Sequence, residues 1–285
     1  MAKQTTLAKP ININGVGLHT GVDVNMTLRP APENTGYIFV RTDLDNFEIP
    51  ASVEYISHCS YATTLMRRGV VLSTCEHLLS ALRGCGVDNC FIDLDNIEIP
   101  IMDGSSEDFV ERIAKVGFIE QSAARRIFRV LKRVDFEQGD RRMSIEPAEN
   151  FEIDCVIDFP HPLINRQSFG LVIENGSFGR QIASARTFGF TAEIDMLRKA
   201  NLAQGGSLDN AIVLTPDGML NQTPLRFDDE FVRHKILDII GDLALLGMPV
   251  QGRITAEKSG HAVHAALMGK LLKAEHAWEI TESTN

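Results

Sequence analysis

Apolar and polar residues alternate along Val22–Leu28 (VDVNMTL), the two-residue period of a strand with one buried face. A run holding Pro30, Pro32, Asn34 and Gly36 supplies a turn before a second strand at Tyr37–Val40. From Ser73 the period lengthens: Leu78, Leu79, Ala81 and Leu82 recur at helical spacing until Gly84 stops them. A strand at Cys90–Leu94 follows, then the turn-rich loop IPIMDGSS (Ile99–Ser106) and a helix from about Glu107 to Val116. The second half repeats this order loosely. Phe128–Phe136 is strand-like, Gly139 and Asp140 mark a turn, and Met143–Ile145 and Phe151–Phe159 read as strands. A short helix is predicted over Phe178–Ala185, a long one over Asp229–Leu246 and a last one over His264–Trp278.

Two internal echoes accompany this order. PAPENTGYIFV (Pro30–Val40) resembles PAENFEIDCVI (Pro147–Ile157), each entering a strand, which hints at two related halves joined near Gln121–Arg125. DLDNFEIP (43–50) and DLDNIEIP (93–100) match more closely, but without a third copy they read as similar strand-exit turns rather than a repeat array.

Composition narrows the partners. The 285 residues carry a formal charge of −10, which argues against nucleic acid, since phosphate-backbone affinity needs clustered Lys and Arg. Two or three local cations could still hold one phosphate group. Lys3 is followed by Gln4, Thr5 and Thr6, not an apolar run, and no stretch of about 18 apolar residues occurs, so a cytoplasmic protein without stable membrane insertion is expected. The five cysteines, Cys59, Cys75, Cys85, Cys90 and Cys155, form no CxxC and are expected to be reduced. Any metal ligands must then come from His, Asp and Glu.

Three stretches carry candidate chemistry. On EFVRHKILDIIGDL (Glu230–Leu243), His234, Lys235, Asp238 and Asp242 fall within an arc of roughly 100°, opposite Ile236, Ile239, Ile240 and Leu243. His234 and Asp238 are an i, i+4 pair able to converge on one point, and a solvated face with a His–Asp hydrogen bond is the plain alternative. In STCEHLL, His77 could bind a metal while Glu76 addresses a water beside it; equally, Ser73-Thr74-Cys75-Glu76 reads as a helix capping box and His77 as a partly buried helix histidine. KSGH (Lys258–His261) sets a histidine on a short turn before the last helix.

STCEHLLSAL, GVDNCFIDL, EIPIMDGSS, SARTFGF, LRFDDEFVRHKILDIIGDL and KSGHAVHAAL, with GVGLHTG near the start, resemble the UDP-3-O-acyl-N-acetylglucosamine deacetylase family, in order and from about residue 4 to residue 278. The resemblance implies zinc-dependent removal of an N-acetyl group from an acylated nucleotide sugar, the committed step of lipid A biosynthesis. It implies metal ligands His77, His234 and Asp238, with Zn²⁺ or Fe²⁺ suiting the set. It implies Glu76 as general base, Thr187 and His261 as stabilisers of the oxyanion with His261 also the proton donor to the amine, and Asp242 as the group holding His261 charged. Lys235 and Lys258 are then expected at the sugar or diphosphate, Phe159 at the uracil, Phe188 at the sugar, and His19 and His58 nearby. The implied fold is α+β: two similar β-α-α-β halves, residues 1–123 and 124–285, with helices sandwiched between two sheets and a βαβ insert at about 190–213 forming an acyl channel. A lipid-linked nucleotide sugar would be the partner of a monomer. Tyr61 and Ala62 depart from the family where the site entrance is lined. Two rivals compete: a zinc deacetylase for another acetamido sugar nucleotide, and a silent metal-binding module, against which Glu76 and His261 both count.

Overall fold

The alternation around Val22 builds a hairpin, Ile11–Val16 with Asp23–Pro30, whose inward residues Ile11, Ile13, Val24, Met26 and Leu28 are buried. This hairpin edges a five-stranded sheet ordered Ile11–Val16, Asp23–Pro30, Cys90–Leu94, Tyr37–Arg41, Phe47–Pro50. The computed structural model describes residues 1–174 and 176–283. Its second large sheet runs Val134–Gln138, Arg141–Glu146, Val250–Glu257, Phe151–Phe159, Asn165–Ile173. Arg126–Val130 and Trp278–Glu282 join it at the far end of the Val250 strand. Both sheets thus place a hairpin, a late central strand and a second hairpin in the same order. In both, the only parallel pairing within that order is the central strand with the first strand of the second hairpin. The two echoed segments enter these equivalent strands, Tyr37–Arg41 and Phe151–Phe159.

Parallel neighbours need a crossover, and helices supply it. Among the described residues six α-helices occur: α1 (Glu76–Gly84), α2 (Glu107–Val116), α3 (Ser177–Gln181), α4 (Thr191–Lys199), α5 (Glu230–Leu243) and α6 (His261–Lys273). α1 packs against α5, and α5 against α6 and the strands Phe151–Phe159 and Asn165–Ile173. α1 and α5 meet backbone to backbone at Gly241, where a Cβ would run into the carbonyl oxygen of Glu76 and lie 2.7 Å from its carbonyl carbon. Only glycine allows that spacing. A helix so enclosed is buried nearly all round, and α5 exposes little beyond Arg233 and Lys235. The plain alternative of a solvated face therefore fails: His234, Asp238 and Asp242 point inward, and each is at most 2% exposed.

Other expectations shift in detail. The long helix stops at Leu243 and tightens into a 3₁₀ turn at Ala244–Leu246. The last helix begins at His261, three residues before the predicted start, and ends at Lys273, with Trp278 opening a strand. Phe128–Phe136 is two strands broken at 131–133, and the predicted Phe178–Ala185 helix is the single turn of α3. The octamers do lie at strand exits, where Thr42 N–H donates to Leu94 C=O across neighbouring parallel strands. Phe188–Phe190 and Ile212–Leu214 pair in parallel around α4, a βαβ unit at the expected insert. No described helix is long and apolar enough to cross a membrane. All five cysteines are free.

Candidate active site

The first turn of α1 and the middle of α5 face each other across the crossing at Gly241. His77 Nε2 lies 3.7 Å and His234 Nε2 3.4 Å from Oδ1 of Asp238, all three side chains buried. Bonds of about 2.0–2.1 Å at tetrahedral angles separate two ligand atoms by roughly 3.3 Å, so both spacings match a shared ion. Asp238 Oδ1 accepts no hydrogen bond among the described residues, an orphaned buried acceptor that a cation would satisfy. The other carboxylate oxygen, Oδ2, takes the Lys235 ammonium at 2.8 Å. Burial alone would raise the Asp238 pKa; Lys235 and the flanking histidines outweigh it and hold the group well below the usual carboxylate range. His234 Nδ1 sits 3.0 Å from the Ala185 carbonyl, an acceptor only, which puts the proton on Nδ1 and leaves Nε2 free to ligate. Burial, with His234 alongside, lowers His77 to about 3, so that imidazole too is neutral. The trio fits a divalent metal.

A second trio, Asp242, His261 and His264, also lies close together. Here both Nδ1 atoms are 2.7 Å from Oδ2 of Asp242, hydrogen-bond distance and too short for two ligands of one ion. It is a hydrogen-bonded cluster. Asp242 completes it by accepting from Thr63 Oγ1 at 2.6 Å through Oδ1.

Glu76 stands between the trios. The predicted capping box does not form: Cys75 occupies the N-cap without a side-chain cap, and Ser73 Oγ bonds Thr64 instead. The Glu76 carboxylate turns inward, where Oε2 accepts the Thr63 N–H at 3.1 Å and Oε1 lies 3.7 Å from His261 Nε2. Burial pushes Glu76 up to about 7, partly offset by His261. His261 moves the other way: burial opposes its charge, but Asp242 and Glu76 outweigh that and push it up to about 10. One carboxyl poised near neutrality beside one imidazolium could serve as a base and an acid.

The remaining candidates divide. Thr187 lies in the loop before Phe188–Phe190, its N–H on the Gly104 carbonyl at 2.8 Å, so the MDGSS loop buttresses it. Phe188 packs edge-on against Phe231, and Lys235 Nζ lies 5.3 Å from its ring centroid. Phe159 meets Phe188 edge-on at 5.8 Å. His19 has both ring nitrogens buried without hydrogen-bond partners among the described residues, and its backbone N–H is held by Glu98. His19, Thr187 and Phe188 share a cavity of about 570 Å³ with Leu18, Ile194, Leu197 and Val213, under α4. Tyr61, exposed at left-handed φ 65°, also lines this cavity, while Ala62 is buried. Lys258 does not join the cluster: its ammonium pairs with Asp158 at 3.1 Å and Asp140 at 3.3 Å. His58 is exposed at the end of a short strand and does not join it either.

A family model described as UDP-3-O-acyl N-acetylglycosamine deacetylase matches residues 4–273. The chain belongs to that family. Among similar deacetylases, the UDP-3-O-acyl-N-acetylglucosamine deacetylase of Coxiella burnetii (strain CbuK_Q154) is 50% identical over 98% of this chain and 93% of its own length. That of Solibacter usitatus (strain Ellin6076) is 45% identical over 98% and 95%, and that of Myxococcus xanthus (strain DK1622) 49% over 97% and 88%.

Sequence reasoning missed five residues around this deacetylase-family site. Thr63 bridges Glu76 and Asp242, with nothing in its local sequence to mark it. His264 could have been suspected, since it lies one helical turn beyond His261. Arg186 and Glu230, both buried, form a bidentate pair (2.8 and 3.1 Å) that ties the Thr187 loop to the start of α5. Glu98, fully buried, accepts from His19 N, Thr20 N and Thr74 Oγ1 and holds the His19 turn.

Proposed function

We propose that this chain hydrolyses the N-acetyl group of UDP-3-O-(3-hydroxyacyl)-N-acetylglucosamine to acetate and the free amine, the committed step of lipid A biosynthesis, using Zn²⁺, or Fe²⁺ on the same ligands, held by His77, His234 and Asp238. The observation that carries this is the Glu76–His261 pair, 3.7 Å apart and oppositely poised, beside a buried three-ligand cradle. A divalent ion in that cradle supplies Lewis acidity toward water and the amide carbonyl. Glu76 accepts the proton of the attacking water as the O–C bond forms. Thr187 Oγ1 donates to the carbonyl oxygen as it gains charge, and the His261 imidazolium adds its field. As the C–N bond breaks, His261 Nε2 gives its proton to the nitrogen, while Asp242 keeps the ring charged and oriented through Nδ1.

The apolar walls under α4 suit the 3-O-acyl chain, in a volume ordinary for ligand sites. Lys235 and Phe188 would meet the sugar, Phe159 the uracil and His19 the cavity entrance. Lys258 and His58 have weaker support, Lys258 because two aspartates already hold it. We take residues 1–123 and 124–285 as two related halves with helices between their sheets, supported by the shared strand order. One chain supplies the whole cradle, which supports a monomer, and five free cysteines suit the reducing cytoplasm.

The test is acetate release from the 3-O-acylated substrate and from unacylated UDP-N-acetylglucosamine, after chelation and after Zn²⁺ is restored. Metal-dependent release favouring the acylated compound is expected. Equal rates on both would favour the rival acetamido sugar deacetylase, and release that survives chelation would remove the mechanism.

A further inference from the structure

The carboxylate of Asp242 serves two imidazoles at once. His261 and His264 occupy successive turns of α6, and both Nδ1 atoms reach the same oxygen, Oδ2, at 2.7 Å. A carboxylate oxygen has two acceptor sites, so the two bonds coexist and fill it. Thr63 takes the other oxygen. His264 is 1% exposed, and its Nε2 lies 3.0 Å from Ser259 Oγ, whose hydroxyl can donate to it. Both ring nitrogens are therefore spent on holding the carboxylate and the KSGH turn. None is left to face the cradle.

We propose that His264 is a positioning residue for the deacetylation: by sharing Oδ2 of Asp242 with His261, it fixes the carboxylate and limits how tightly that carboxylate binds the His261 ring. Each donor spread over a carboxylate weakens the oxygen as an acceptor for the others. An imidazolium bound too tightly to its aspartate keeps its proton and makes a poor acid toward a leaving amine. The charged and titratable groups around the pair are Asp242, Asp238 and His234 from α5, Glu76 and His77 from α1 and, beside Asp242, Cys59 from the segment before Thr63. Of these, Asp242 alone is bonded to both rings.

The inference rests on His261 as the proton donor, so its test carries a readout independent of turnover. H264L removes both nitrogens, while H264N puts an amide N–H near the place of Nδ1. In H264L the alkaline limb of kcat/KM should rise by about half a pH unit or more, since a hydrogen bond to a charged group is lost from Asp242. The kcat at neutral pH should fall about three- to tenfold with KM nearly unchanged, and H264N should return both toward wild type. Nitrogen-15 NMR of the Zn²⁺-loaded protein should show Nδ1 protons of both histidines in hydrogen bonds, and a His261 titration that moves in H264L. Coincident profiles for H264L and wild type, H264N behaving like H264L, or a His264 ring without a bonded Nδ1 proton would each overturn the proposal. The last reading needs only wild-type protein, so it holds should H264L fail to fold. If wild type releases no acetate while the His261 titration still moves in H264L, the deacetylase reading falls and the sharing of Asp242 stands.

Discussion

Replacing Gly241 by alanine tests whether helix spacing sets the chemistry. A methyl there would lie 2.7 Å from the carbonyl carbon of Glu76 and 3.0 Å from its Cα, against ordinary contact from 3.4 Å. The obstacle is backbone, nearest of all the Glu76 carbonyl oxygen, which cannot rotate aside, so α1 must withdraw from α5 by more than about 1 Å. Overpacking of this kind costs roughly 1–3 kcal/mol of stability. The withdrawal also carries Glu76 and His77 away from Asp238 and His261, stretching separations that now stand at 3.7 Å. Misplacement of catalytic groups by about 1 Å costs on the order of 10²-fold in rate. G241A should therefore show a lower Tm, weaker Zn²⁺ retention in chelator competition and a kcat reduced by about tenfold to a hundredfold. Thermal melts, metal analysis and steady-state kinetics on one preparation measure all three. A variant with wild-type metal affinity and kcat would refute the claim that the α1–α5 distance governs the site, even if its Tm fell.

Three further outcomes follow from the site. E76Q and H261A should each lower kcat by about 10²-fold or more while metal analysis still finds one ion per chain, because neither side chain belongs to the cradle. The rate should rise with pH as Glu76 loses its proton and fall as His261 loses its own, limbs that burial and partners set at about 7 and about 10. A bound cation favours the deprotonated form of both groups, so in the loaded enzyme each limb should lie below those values, and a profile rising steadily past pH 10 would contradict the assignment. R186L should cost roughly 3–5 kcal/mol by stranding the buried Glu230 carboxylate, read as a lowered denaturation midpoint. An unchanged midpoint would show that the pair is not holding the Thr187 loop.

The comparison of sequence with structure turns on residues whose local and tertiary partners compete. Ser73 and Glu76 have the spacing of a capping box, and a single helix end would use them so. In the folded chain Thr63 and His261 bind Glu76 instead, because the first turn of α1 is enclosed and a buried carboxylate must take the donors that surround it. Likewise the polar arc of α5 reads equally well as a wet surface or an inward cluster. Periodicity gives the angle between side chains but not what lies opposite. His58 and Lys258, which the resemblance placed near the substrate, have side chains that meet solvent or aspartates.

The sequence alone determined the main helices and several strands, the i, i+4 pairing of His234 with Asp238, the absence of a CxxC motif and, by its long ordered motifs, the family. These are properties of neighbours along the chain, or of patterns too long to recur by chance. Only the tertiary structure decided that His77 closes on the α5 pair, that Asp242 is shared by two imidazoles and tied to Thr63, and that Arg186 pairs with Glu230. Those contacts join residues as many as 179 positions apart. The His77–Asp238 distance depends on how closely α1 and α5 cross, which is set at Gly241 by a side chain that is missing.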